Sequence, residues 1–474
     1  MIVPETVVNF NSLEKEIFRR CCKLGCEVLR AIIEACDEEL SKSRDKKEYR
    51  HKGKRKTTIK SVMGEVEYSR VGYETRDSDG KNIFVYLLDE AMGIEGSGLM
   101  SDLLCELIAQ AACEGPYRSA ARSVSASTGQ QISHTAAWSV VQSLGKRVEV
   151  QEKQAAEAAS KNEGTGTLET AVLFEEQDGI WLKLQGKDRK AHGDSKEMKV
   201  AIAYDGAEKK GKKRYRLTNK VACANFESVE RFQKRKEGII AQTYNVDEIE
   251  MRLLNGDGAS WIKGAITDET VHFQLDPYHR NKAIRTYVKD PEMQEGITEL
   301  LYEKRIDELL IYIEALSNSV VDIDEQDNLL KLYTYFSNNK EGLVPCHKRG
   351  LDIPKPPEGK EYRQMGAMES NIFTIAGNRM KGGRCLWSIK GGNNLARLLC
   401  LKHTGKLSQT LQNLSSVALP EKYAEEVITV LSAAKVAKSE GTGYNGFKEA
   451  GLPPATNDYK WLRSVGSLRS LLET

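Results

Sequence analysis

The order of strand-like and helix-like segments between residues 168 and 288 is the feature that most constrains the fold of this 474-residue chain. Strand patterns, rich in branched and aromatic residues, lie at 171–184, 199–204, 214–226, 248–254 and 271–275. Helical patterns lie at 228–242, 261–266 and 279–288. Three opening strands followed by helix, strand, helix, strand and helix is the order of an α/β, ribonuclease-H-like fold.

Other segments flank this region. Residues 12–42 have the apolar spacing of a long helix, which Asn11 could cap. This helix could be a dimer seam or could pack on the body of the protein. Strands are predicted at 57–62, 66–71 and 82–88, with a hairpin turn at Gly64. Helices are predicted at 103–113, 117–126 and 134–144, the last capped by Ser133 and ending near Gly145. Their spacing is typical of a helix-turn-helix, and also of other small three-helix packings.

Amphipathic helices are predicted at 293–340, a Pro-rich connector at 345–357 and a new helix near Met368. The chain is therefore divided into an α+β N-terminal region, a ribonuclease-H-like α/β core with a helical insertion, and C-terminal helices. The predicted segments are the N-terminal helix 1–50, a small β segment 51–98, a helical helix-turn-helix-like DNA-binding segment 99–165, core 166–290, insertion 291–360, and core completion with C-terminal helices 361–474.

Charge is distributed unevenly, although 70 Lys and Arg nearly balance 68 Asp and Glu. Residues 42–60 hold ten bases and two acids, and residues 370–420 hold seven bases and no acid. Residues 290–327 hold twelve acids and two bases. The basic stretches predict surfaces that attract phosphate on a molecule that is nearly neutral overall. Solvated charged faces are the alternative, which we favour for the acidic block.

Several protein classes are disfavoured by composition. The apolar fraction of 40% is too high for a mainly disordered chain. No run of about 18 apolar residues predicts a membrane span, and the N-terminus lacks the pattern of a signal peptide. Ten scattered cysteines predict reduced thiols in a cytoplasmic protein. Cys21, Cys22 and Cys26 are expected to be buried thiols of the first helix and not metal ligands.

Three acids stand beside turns in the α/β region: Asp178 on its first strand, Asp257 between two glycines, and Glu369 at the start of a helix. Carboxylates at the ends of strands point into the crevice where α/β folds bind ligands. Three of them suit a site for two Mg²⁺ ions, because hard cations prefer oxygen ligands. With 68 acids in the chain, three near turns are also expected by chance.

The residues around these acids resemble a known family. They include residues 173–182, 255–262 and 368–371, together with Leu275-Asp276-Pro277-Tyr278-His279, Arg379-Met380-Lys381 and Trp387-Ser388. These motifs are similar, in the same order, to those of DDE transposases of the ISLre-type bacterial insertion sequences, allied to the Mutator-like superfamily. The resemblance covers most of the chain. It implies that Asp178, Asp257 and Glu369 are metal ligands in a ribonuclease-H-like core.

The resemblance also implies the reaction. Two Mg²⁺ ions, for which Mn²⁺ could substitute, would support cutting of the transposon end and joining of its 3′-hydroxyl to target DNA. The partners would be double-stranded DNA, as terminal inverted repeats and target, and further copies of the chain in a synaptic complex. The location would be the bacterial cytoplasm, at the nucleoid.

Asp276 and His279 form the Asp-x-x-His motif of that superfamily. His279 could contact DNA, or it could bond to Asp276 and hold the active-site strand. Arg379, Lys381 and Arg384 could bind phosphate along a groove or form ordinary helix-surface charge. Trp387 is more often a core residue than a base-stacking one.

Two further functions remain open from sequence. A nuclease of the same fold would cut DNA without joining it. A decayed transposase would only bind DNA, through its N-terminal helices.

Overall fold

The computed structural model describes residues 9–94, 100–383 and 385–415. The chain opens with helix α1 (Phe10–Ser43), as the apolar spacing predicted. The cap of this helix is Asn9, which accepts a hydrogen bond from the Asn11 amide, so the prediction that Asn11 is the cap was wrong. The buried carboxylate of Asp37 accepts a hydrogen bond from the Val71 amide at 3.1 Å and joins α1 to the sheet that follows.

That sheet is antiparallel, in the order β1 (Arg50–Lys60), β2 (Glu65–Arg76) and β3 (Asn82–Val85). The predicted hairpin turn lies at 61–64, where Ser61 and Gly64 exchange backbone hydrogen bonds. The third strand is shorter than predicted, because helix α2 (Leu87–Met92) begins two residues after Val85.

The first helix does not bury its cysteines as predicted. Cys21 is exposed, and Cys22 and Cys26 are half-buried, because they flank the face that packs on the sheet. All ten cysteines are free thiols, in agreement with the scattered spacing.

Three helices follow, α3 (Asp102–Glu114), α4 (Tyr117–Thr128) and α5 (His134–Ser160). Ser133 caps α5 as predicted, accepting a hydrogen bond from the Ala136 amide at 3.0 Å. The predicted end near Gly145 was wrong, because α5 continues through it to Ser160. Gly145 is instead a crossing point: a Cβ there would lie 2.6 Å from the Cα of Asn394 on a later helix.

The central sheet is mixed and has five strands, β4 (Val172–Lys183), β5 (Ser195–Tyr204), β8 (Val221–Asn225), β9 (Met251–Gly256) and β10 (Val271–Leu275). Their spatial order is β10-β9-β4-β5-β8. Strand β5 runs antiparallel to both of its neighbours, β4 and β8, whereas β9 and β10 run parallel to β4. A small hairpin, β6 (Ala207–Lys209) and β7 (Tyr215–Leu217), lies between β5 and β8 in sequence.

The helices of this region are α6 (Gly186–His192), α7 (Val229–Ala241), α8 (Ser260–Lys263) and α9 (Pro277–Tyr287). The predicted α/β order is therefore present. The predicted helical insertion consists of α10 (Pro291–Tyr302), α11 (Ile306–Ser319) and α12 (Ile323–Asn338). Short 3-10 turns lie at Val246–Glu248, Lys340–Gly342 and Cys346–Lys348.

The chain returns to the central sheet with α13 (Met368–Ile372), a π-helix at Phe373–Lys381, α14 (Ile389–His403) and α15 (Leu407–Ser415). Side chains of α14 and the π-helix share the main hydrophobic core with β4 and β5. An ion-pair network joins α5, α7 and α14: Glu152 on α5 pairs with Arg397 on α14 at 2.9 Å and with Arg235 on α7 at 3.7 Å. The core is thus built from segments more than 200 residues apart in sequence.

No helix within the described ranges is long and apolar enough to span a membrane. The six segment boundaries proposed from sequence stay predictions.

Candidate functional site

The register of two parallel strands places Asp178 beside Asp257. Gln177 on β4 pairs with Gly256 on β9, so the next residue of each strand carries one of the two carboxylates. Strand β9 ends at this point, whereas β4 continues along β5 to Lys183. The Asp178 carboxylate accepts a hydrogen bond from the Gly179 amide, and that of Asp257 accepts one from the Ala259 amide, at 2.7 and 2.8 Å.

Glu369, which is distant in sequence, lies near these two acids. Burial raises the pKa of Asp178 to about 6; the charge of His279 and the Gly179 amide lower it, and the charges of Asp257 and Glu369 raise it further. Charge interactions fade over about 10 Å in salt water. The Met368 amide, one residue before Glu369, donates to Glu176, which lies two residues before Asp178 on β4. The Asp276 amide, which brings His279 with it, donates to the Gly256 carbonyl next to Asp257. The three predicted acids and His279 therefore lie in one neighbourhood, with Glu369 exposed and Asp178 half-buried.

The Asp276 carboxylate has a structural task in this site. It caps α9 by accepting hydrogen bonds from the Tyr278 and His279 amides at 2.9 and 3.1 Å, and it lies 3.3 Å from Nδ1 of His279. Although burial opposes it, hydrogen bonds from His279 and Asn255 lower the pKa of Asp276. The hydrogen bond to Asp276 raises the pKa of His279, and the charges of Asp178 and Asp257 raise it further. These interactions favour the protonated form of His279, whose ring lies near the two acids.

A buried network behind the acids was not anticipated from sequence. The carboxylate of Glu176 accepts five hydrogen bonds, all between 2.7 and 3.1 Å, from the Tyr204 hydroxyl, the Asn255 side-chain amide and the backbone amides of Gly366, Ala367 and Met368. These three residues directly precede Glu369 in the chain. Glu176 therefore fixes the point at which α13 brings Glu369 to the sheet.

Asn255 links this network to the Asp276–His279 pair. Its side-chain amide also donates to Asp276 at 2.8 Å, and its oxygen accepts from Gln274 at 3.1 Å. A signal existed in the sequence, because Glu176 and Asn255 each precede a candidate acid by two residues. That spacing puts them on the same face of their strands.

The three carboxylates suit a hard cation by their chemistry. Within the described residues, the Oδ2 atoms of Asp178 and Asp257 and the carboxylate of Glu369 accept no hydrogen bond, so oxygen donors remain for an ion. In the same ranges no three His, Cys, Asp or Glu side chains already stand together at metal-binding distance. Binding of an ion would require these side chains to draw together, which the mutual repulsion acting on Asp178 opposes until a cation is present.

Arg379, the first basic residue after Glu369, fits neither of the two roles considered for it from sequence. Arg379 is buried, donates to the carbonyl of Ala112 at 2.7 Å and stacks against the rings of Tyr117 and Trp387. Its predicted role in binding DNA phosphate does not fit this position, because the π-helix turns it into the core. Lys381 is exposed, and Arg384 lies outside the described residues. Trp387 is a core residue, whose Nε1 donates to the Met380 carbonyl at 2.8 Å.

Comparisons with known proteins find relatives along most of the chain. A UPF0236 protein of Caldanaerobacter subterraneus subsp. tengcongensis, whose name covers eleven loci, is 24% identical over 469 residues, which is 97% of this chain and 92% of that protein. A second UPF0236 protein of the same organism is 25% identical, with 97% and 93% covered.

A Streptococcus gallolyticus protein, described as a UPF0236 protein in the vanSb 3′ region, is 24% identical over 420 residues. The similar region covers 85% of this chain and 85% of that protein. The model of the family described as "Uncharacterised protein family (UPF0236)" matches residues 4–413. The chain therefore belongs to the UPF0236 family.

Proposed function

We propose that this protein is a DDE transposase, which cuts the DNA ends of a mobile element and joins them to target DNA by metal-dependent phosphoryl transfer. The observation that carries the proposal is the meeting of Asp178, Asp257 and Glu369, which are separated by up to 191 positions, in one neighbourhood at the central sheet. Three carboxylates in one place suit a pair of Mg²⁺ ions, which activates one oxygen and stabilises another in an in-line displacement.

The topology of the sheet supports the proposal. Three antiparallel strands followed by two that run parallel to the first, in the order β8-β5-β4-β9-β10, match the expected ribonuclease-H-like core. The insertion α10–α12 lies between β10 and Glu369, where the family resemblance implies a helical insertion.

The relatives supply independent support. One curated relative carries a name that covers eleven loci of a single genome. A protein encoded at many loci of one genome is typical of a mobile element, because each transposition event can add a copy.

The side chains at the site would have different roles in this reaction. Asp178, Asp257 and Glu369 would hold Mg²⁺, which when bound would supply Lewis-acid activation of the attacking and leaving oxygens. Glu176 holds the backbone before Glu369 and so sets the distance from that acid to the sheet. Asp276 holds Nδ1 of His279, which would leave Nε2 of this ring free to contact a phosphate oxygen.

Strand joining by the purified protein tests the proposal. The substrates are the DNA flanking the gene, as donor ends, and a supercoiled target plasmid, with and without Mg²⁺. We expect joined products that disappear in Asp178→Asn, Asp257→Asn and Glu369→Gln and persist in the exposed control Glu361→Gln. A variant that retains joining removes its residue from the triad.

The two alternatives give different products in this assay. Cutting without joining would assign the protein to the nucleases. DNA binding without any metal-dependent cutting would assign it to the non-catalytic DNA-binding proteins.

A further inference from the structure

A large basic cleft lies between the β6–β7 hairpin, the segment leading into α13, and the end of α14. Its volume is about 1200 Å³, and six Lys and Arg side chains line it: Arg216, Lys220, Lys360, Arg363, Lys402 and Lys406. The only acid among the lining residues is Glu208, which pairs with Lys210 at 2.9 Å. The cleft therefore carries a concentrated positive charge.

Two of the six charges are already neutralised. Lys360 pairs with the buried Asp205 and Lys402 pairs with Glu114, each at 2.6 Å. The other four have no carboxylate partner in the described parts of the chain. Lys220 donates to the side chain of Asn371 at 2.8 Å, and Lys406 to the hydroxyl of Thr243 at 2.9 Å.

Lys220 and Lys406 are half-buried, and burial lowers the pKa of both ammonium groups. Holding a partly desolvated cation against only neutral partners costs free energy. An anion in the cleft would remove that cost. The guanidinium of Arg363 lies 3.7 Å over the ring of Tyr215 and adds a flat cationic surface at the rim.

The position of the cleft favours one kind of anion. Ser370 and Asn371, which line it, directly follow Glu369 on α13. We propose that the cleft binds the phosphodiester backbone of a nucleic acid strand that continues past Glu369. The choice of a nucleic acid among polyanions rests on the proposed function, whereas the anion site itself rests on Arg216, Lys220, Arg363 and Lys406.

Fluorescence anisotropy with a labelled single-stranded oligonucleotide, in EDTA, tests the site without requiring catalysis. We expect the double variant Lys220→Gln/Lys406→Gln of the full chain to bind at least about tenfold more weakly. Its salt dependence should fall by about 1.4, since each lost contact to a single strand contributes about 0.7 to the slope. The matched control Lys289→Gln/Lys331→Gln, which removes two exposed lysines on either side of the acidic block 290–327, should bind as the unaltered protein does.

The outcomes separate this inference from the proposed function. Unchanged affinity in the cleft variant would overturn the inference. Competition by inorganic polyphosphate that equals competition by unlabelled oligonucleotide, phosphate for phosphate, would overturn the assignment to nucleic acid. Weakened binding in the cleft variant, together with the absence of any cutting by the unaltered protein, would sustain the cleft and defeat the transposase. Thermal unfolding checks the fold, and the variant should be at least as stable because it loses two half-buried charges.

Discussion

Two polar pairs lie two residues apart on the same face of β4 and β9 and differ in almost every physical respect. Glu176 and Asn255 are opposite each other in the register, are fully buried and have hydrogen-bond partners on every side. Asp178 and Asp257 are the next pair along, are half-exposed, and each has an oxygen without a partner in the described structure. The first pair is built into the fold, and the second is left available for a ligand. The surroundings of a polar side chain, and not its residue type, decide which role it has.

The largest expected effect is on strand joining and concerns Asp178 and Asp257, which we call the outer pair. Asp178→Asn should lower strand joining by more than about 100-fold, because even residues that only support a metal ligand contribute 10–100-fold. The same variant should keep its stability or gain some, since it removes a carboxylate whose pKa burial has raised to about 6. Joining assays and urea unfolding on one preparation measure both. A large loss of stability would show that Asp178 belongs to the framework, as Glu176 does.

The next effect is on the free energy of unfolding. It comes from making the inner pair, Glu176 and Asn255, resemble the outer pair. Asn255→Asp would place a third carboxylate between Glu176 and Asp276, where the asparagine amide now donates to both. An uncompensated buried charge costs roughly 3–5 kcal/mol in the free energy of unfolding. Urea unfolding at neutral pH would measure this loss. Stability equal to that of the unaltered protein would mean that the inner position tolerates the chemistry of the outer one.

A somewhat smaller loss is expected from Glu176→Gln. Four of the five groups that bond to Glu176 are N–H donors, so the amide of a glutamine would face donors instead of acceptors. Leaving such groups unsatisfied should cost roughly 2–4 kcal/mol of unfolding free energy. The exposed control Glu169→Gln should change it by less than about 0.5 kcal/mol. Joining activity should also fall in the Glu176 variant, and reduced activity without reduced stability would contradict the framework role.

The smallest effect is a pH dependence that belongs to the outer pair. The pKa of Asp178 is raised in the folded chain, so the folded state binds that proton more tightly than the unfolded state does. Stability in EDTA should therefore fall as the pH rises from about 4 to about 6, by roughly 1–3 kcal/mol, relative to Asp178→Asn. Urea unfolding of both proteins at several pH values measures the difference. A difference that does not vary with pH would show that Asp178 is not electrostatically strained.

Much of the fold could be predicted from local pattern. The long first helix, the Ser133 cap, the five strands and the helical insertion all follow from periodicity and turn residues, because these features depend on neighbours within about ten positions. The errors have a common cause. Gly145 was taken as a helix end, although it lies where α14 crosses α5, and Arg379 was taken as surface charge, although the π-helix buries it. Both depend on contacts more than 200 residues away in sequence.

By itself, the sequence determined the secondary-structure order and supplied the three acids, because strand and helix periods and the side chains themselves are local properties. Only the tertiary structure decided that Asp178 lies beside Asp257, that Glu369 joins them, and that Glu176 fixes the backbone leading to Glu369. The tertiary structure likewise assembled the basic cleft from four separate segments. Strand register and long-range packing bring distant residues together, and neither can be read from a single stretch of chain.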